Sequence, residues 1–146
     1  MEQKDLYIAL FKCSKENAIS TKQYLRSLYK SSEVKNFSCF DRLAKSLKEH
    51  QSDLHAVIIN LDETSEKIST YLKKLREKNP EVVISAYSFT ENDKLIKTFY
   101  KNSGNIFFVI PPTKAEKENI LFQLVKIIIK TYTLQLNREY LIFRLN

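Results

Sequence analysis

Residues 56–61 read AVIINL, six uncharged positions of which three are β-branched. There is no polar–apolar alternation before Asn60, so the run reads as a strand buried on both faces. Downstream, residues 64–78 place Ile68, Tyr71, Leu72 and Leu75 on one helical stripe, which must stop before Pro80. Upstream, LYIALF at 6–11 is a second buried run, and Ser14 is placed to cap a helix over 15–31. Ala18, Thr21, Leu25 and Leu28 form the inner face of that helix. Residues 34–39 read as a weak strand. Asp41 is expected to cap a second helix with Leu43, Ala44 and Leu47 inward. Past Pro80, the run VVISAY gives a strand over 81–87, and 91–102 a helix. Gly104 falls where the left-handed cap of that helix belongs. IFFVI at 106–110 is the fifth strand, closed by Pro111 and Pro112, and a last helix is expected from Lys114 to the end.

Five strands thus alternate with five helices. The pattern predicts an α/β domain: a five-stranded parallel sheet of flavodoxin-like kind, with right-handed crossovers and helices on both faces. In such sheets the working site lies beyond the carboxyl ends of the strands.

Composition removes several functions. The 146 residues include a single glycine, where average usage gives roughly ten. Dinucleotide fingerprints and P-loops need two or three glycines so that backbone can approach phosphate, and neither fits a chain whose one glycine is Gly104. The net charge is +7, but the lysines are scattered among Glu and Asp, as a solvated surface would have them. The densest basic run, Lys73, Lys74, Arg76 and Lys78, sits at a helix end, where cations complement the macrodipole. Nucleic-acid binding is not expected of this domain alone. Cys13 and Cys39 lack metal-ligand spacing and are too few for a disulfide framework. No signal core or 18-residue apolar span is present. The expectation is a cytoplasmic protein without membrane contact. His50 and His55 read as surface residues, and no nucleophile–base pair or metal constellation is visible.

At the strand ends the chain resembles the receiver domain of bacterial two-component response regulators, over about residues 4–128. AVIINLD is similar to the run that ends in the family's phosphoacceptor aspartate, which falls on Asn60. VVISAYS looks like the run ending in a hydroxyl residue followed by Ala, placing the hydroxyl on Ser85. GNIFFVIPP, residues 104–112, resembles the family's Gly-Ala opening, aromatic position and closing Lys-Pro, with Pro111 at the lysine position. Phe11 and Lys12 stand where the first strand should end in an acidic pair.

These departures bear on the chemistry that the resemblance implies. Phosphoryl transfer to a receiver needs a carboxylate nucleophile, a metal on further carboxylates, and a cation on the phosphoryl oxygens. Asn60 offers an amide, Phe11 and Lys12 no anionic oxygen, and Pro111 no charge; only Ser85 keeps its type. The expectation is a degenerate pseudo-receiver: no enzyme, no metal, no cofactor, acting by protein contacts in a two-component or phosphorelay-type system. One alternative is an atypical active receiver in which Asp62, two residues past Asn60, is a displaced acceptor or ligand. The plainer reading has Asp62 or Thr64 cap the next helix. Another alternative is a nucleic-acid-binding regulator using the basic surface. Tyr87 and Phe108 match aromatics that, in the family, swing inward as the hydroxyl moves toward the phosphoryl group.

Lys114 to Asn146 has no glycine or proline, so one helix of about 30 residues is expected there. Residues 1–130 are assigned to the receiver-like domain and 131–146 to an extension of that helix, as a dimerisation or linker segment. Ile129, Tyr132, Leu136, Tyr140 and Phe143 form an apolar stripe that should not stay wet. Its expected partner is a second copy of the chain, with an output domain or another protein as the other expected contact.

Overall fold

The structure, a computed structural model, describes residues 6–28, 32–50, 54–64, 67–110, 126–127 and 141–144. Strands β1 (Leu6–Phe11), β2 (Ser32–Phe37), β3 (Leu54–Asn60), β4 (Val83–Ser88) and β5 (Ile106–Val109) alternate with helices α1 (Lys15–Leu28), α2 (Phe40–Glu49), α3 (Ile68–Lys78) and α4 (Asp93–Lys101). They form the expected parallel sheet, ordered β2-β1-β3-β4-β5.

Alternate side chains along each inner strand divide the core. Tyr7, Ala9, Phe11, Val57, Ile59, Ile84, Ala86 and Phe107 pack against α2, α3 and α4. Leu6, Ile8, Leu10, Ala56, Ile58, Val83, Ile106 and Phe108 pack on the other face with Leu25 of α1 and with Ile127. Both faces are covered, so β1 and β4 are buried at every position, as their unbroken apolar runs require.

The C-terminal helix is corrected in part. Leu141–Arg144 is a strand, β6, parallel to β5, with Phe143 opposite Phe108. Among the described residues the sheet therefore has six strands, and the helix does not reach Asn146. Short runs such as LIFR satisfy either period, and the outer edge of β5 offers a row of backbone groups for a strand to pair with. Phe143 leaves the proposed helical stripe, whereas Ile129, Tyr132, Leu136 and Tyr140 lie outside the described residues. Lys126 and Ile127 are helical.

Of three helix ends, two differ from expectation. Ser14 caps α1 as expected, accepting from Asn17 N–H at 3.1 Å. Asp41 does not cap α2; Cys39 holds that position without a side-chain bond, and Asp41 lies in the first turn. At the end of α4, the Ser103 N–H donates to Tyr100 O and the Gly104 N–H to Phe99 O, the paired bonds of a Schellman motif. The left-handed residue is Ser103, at φ 73°, and not Gly104. Glycine is needed at 104 for space, since a Cβ there would stand 2.3 Å from the Phe99 ring.

Candidate functional site

The carboxyl ends of β1, β3 and β4 meet in register, Phe11 beside Ile59 and Asn60 beside Tyr87. Phe11 turns away from this end into the core, edge-on to Phe40 and Tyr71. Lys12 follows in a left-handed conformation, φ 54°, fixed by its N–H donating to Phe37 O at 2.8 Å. For a side chain with a Cβ this costs about 1–2 kcal/mol. The Lys12 ammonium is exposed, 3.5 Å from the Glu63 carbonyl oxygen.

Asn60 is buried and uses both ends of its amide. Nδ2 donates to the Lys12 carbonyl at 3.3 Å, and Oδ1 accepts from the Asp62 N–H at 3.1 Å. The second bond caps the short 3-10 turn over Leu61–Glu63. A carboxylate has no proton for the first bond and would set an anionic oxygen against a carbonyl oxygen. The site is built for an amide at 60.

Asp62 caps nothing on its own side, and neither it nor Thr64 caps α3, which begins after Lys67. The Thr64 hydroxyl donates instead to Asn60 O at 2.9 Å. The Asp62 carboxylate reaches across to β4. Its Oδ1 lies 2.8 Å from Ser88 Oγ, and its Oδ2 accepts from the Phe89 N–H at 2.9 Å. Ser88 Oγ is also 2.9 Å from Thr90 O, so its single proton serves one acceptor at a time.

The hydroxyl at the end of β4 is therefore Ser88, which the sequence reading missed. Ser85 lies three residues earlier, fully buried in mid-strand, donating to Val57 O at 2.8 Å. The strand's last residue was the available signal, because the site lies beyond the strand end and Ser85 sits opposite Ile58, short of it.

Tyr87 and Phe108 are both fully buried in the α1-side core. Burial pushes the Tyr87 phenol well above its ordinary value, with Cys13 the next contributor, and raises the Cys13 thiol to about 11. Pro111 lies outside the described residues. Of the two histidines, His55 is buried, contrary to the surface expectation, and His50 stacks on Tyr7 with centroids 3.8 Å apart.

A magnesium ion, which receiver chemistry implies, does not suit these residues. Magnesium takes hard anionic oxygens, and the positions that should supply them hold an apolar ring, an ammonium and an engaged amide, while the Asp62 carboxylate is already bonded to β4. Among the described residues, no three His, Cys, Asp or Glu side chains group to hold a metal. Among them, too, no helix is long and apolar enough to cross a membrane.

No family model matches the chain, and no curated protein matches it in sequence. Solved structures do. A response regulator from Thermotoga maritima superposes with a TM-score of 0.66 at 17% identity, covering 86% of this chain and 98% of the other. A response regulator receiver domain from Rhodospirillum rubrum gives 0.65 at 17% identity, covering 85% and 94%. The chemotaxis response regulator CheY4 of Vibrio cholerae gives 0.64 at 10% identity, covering 86% and 99%. Its order of strands and helices and these superpositions together show that the chain has the fold of a response-regulator receiver domain.

Proposed function

We propose that the chain is a non-enzymatic receiver-like signalling module that works through protein contacts and takes up no phosphoryl group at Asn60. One observation carries the reading. The two groups at the end of β4 that would greet an incoming anion, the Ser88 hydroxyl and the Phe89 N–H, are held by the chain's own Asp62 carboxylate. The chain supplies the negative charge itself, and an amide replaces the nucleophile beside it. The β4–α4 surface then keeps one arrangement and serves as a constant docking face. In this reading the module belongs to a two-component or phosphorelay-type pathway, as the fold's other bearers suggest.

Incubation with acetyl phosphate and magnesium, followed by intact mass measurement, tests this. The mass should not change. A gain of about 80 Da, one phosphoryl group, mapped to Asp62 would establish an atypical active receiver instead. Binding to duplex DNA that weakens steeply with salt would establish the nucleic-acid alternative. A second copy of the chain, met through residues 129–140, is the first protein partner to test. Light scattering of the intact chain should give a dimer mass, and a monomer mass removes that partner.

A further inference from the structure

Beside the Asn60 site, on the side of α2 and α3, lies an open cleft of about 640 Å³ that the reading above does not use. Lys12, Lys67 and Lys74 line it, from the end of β1, the approach to α3 and the second turn of α3. All three are exposed, and among the described residues no carboxylate lies within ion-pair distance of any of them. Asp41 is the one acidic residue among the described lining, so cations exceed anions by two. A concave wall focuses such charge far better than a flat surface of scattered lysines does. The remaining lining includes Tyr71, whose ring stacks on Phe40 with centroids 4.3 Å apart, and the exposed Cys39. Lys12 stands at the edge of the cleft with a left-handed backbone, φ 54°.

We infer that this cleft binds a small molecule bearing a pyrophosphate group. Lysines act on phosphate as point charges on flexible stems and need no glycine-rich backbone cradle, so the scarcity of glycine does not exclude it. The excess of cations among the described lining asks for a ligand with at least two negative charges. The volume falls in the range of small-molecule sites and exceeds what one phosphate fills. The inference is independent of phosphoryl uptake, because it concerns reversible binding and is probed without a phosphodonor.

Calorimetric titration of the full chain with inorganic pyrophosphate, and separately with ATP, tests it. Saturable binding is expected, weakened at least tenfold in Lys67→Ala/Lys74→Ala and unchanged in Lys97→Ala/Lys101→Ala, which removes the same charge from α4. Pyrophosphate should also slow alkylation of Cys39 by iodoacetamide, while Cys13 stays unreactive in its buried position. Both lysine pairs are exposed, so neither variant threatens folding. Absence of saturable binding overturns the inference. So does an equal loss in the two double variants, which would mean attraction to net charge alone.

Discussion

The carboxylate of Asp62 is bonded to the end of β4 at both oxygens: Oδ1 lies 2.8 Å from Ser88 Oγ, and Oδ2 accepts from the Phe89 N–H at 2.9 Å. Two residues before it in sequence, Asn60 holds the Asp62 N–H and the Lys12 carbonyl. One hydrogen-bonded chain therefore runs from β1 through β3 to β4 across the end of the sheet where receiver chemistry would take place.

Replacing Asp62 with Ala should free the β4–α4 connection while leaving the sheet intact. Asp62 is exposed, so the loss in unfolding free energy should stay near about 0.5–1 kcal/mol. Amide exchange reads the local effect: the Phe89 N–H should exchange markedly faster, whereas amides in mid-β3 should not change. A uniform acceleration would place the role of Asp62 in global stability instead.

Asn60→Asp is expected to destabilise the fold although it brings back the residue type of an active receiver. It removes the donor to Lys12 O and partly buries a charge. The cost should be about 1–3 kcal/mol by chemical denaturation at neutral pH. Stability should recover as pH falls towards the ordinary carboxylate range, because the folded state takes up the proton first and protonation restores a donor. Equal stability of variant and parent at neutral pH would show that the amide is not required.

The sheet was legible because its inner strands are buried on both faces, so runs such as AVIINL carry no competing helical pattern. That an amide stands at 60, and Phe11 and Lys12 at the end of β1, was legible for the simpler reason that it is a matter of residue type at counted positions. What depended on the third dimension was not. Ser85 and Ser88 are both serines in one strand, and the register with β3 sets Ser85 opposite Ile58, short of the strand end. Asp62 has a helix start just ahead of it, but its partners are 26 and 27 residues away. LIFR is too short to separate strand from helix without the edge of β5 that receives it.

Arg76 should prove a structural arginine rather than one of a solvated basic run. Its guanidinium donates to the carbonyls of Pro80, Val82 and Ser103 and to Asn105 Oδ1, at 2.7–2.9 Å. It thereby ties the loops before β4 and β5 together at the opposite end of the sheet. Lysine cannot reproduce a planar fork with bonds in several directions. Arg76→Lys should cost about 2–3 kcal/mol, and neighbouring Lys73→Ala under about 0.5 kcal/mol, as an exposed site does. Thermal denaturation of the pair gives the contrast directly.

Gly104→Ala separates the two demands that a glycine can answer. The backbone at 104 is not left-handed, so strain is not the cost; the Phe99 ring is, at 2.3 Å from an added Cβ. Overpacking of this kind costs about 1–3 kcal/mol. Shrinking the ring in Gly104→Ala/Phe99→Leu should recover part of that loss, making the double variant more stable than the sum of the singles predicts. Strict additivity would show that 104 and 99 do not share the space.

Alkaline pH should unfold the chain earlier than its carboxylates and lysines alone would suggest. Burial raises Cys13 from 9.0 to about 11 and Tyr100 from 10.0 to about 12, and raises Tyr7 and Tyr87 in the same direction. Each group is neutral when folded and ionises more readily when unfolded, so above pH 9 the unfolded state binds fewer protons. Stability that is fully present below pH 9 is then lost as pH climbs towards 11–12. Denaturant midpoints measured from pH 7 to 11 should fall throughout the upper half of that range. Cys13→Ala should make the decline between pH 9 and 11 shallower, because one of the groups that drives it is gone. An unchanged slope in that variant would mean that the thiol ionises alike in both states and that Cys13 is not sealed in the core.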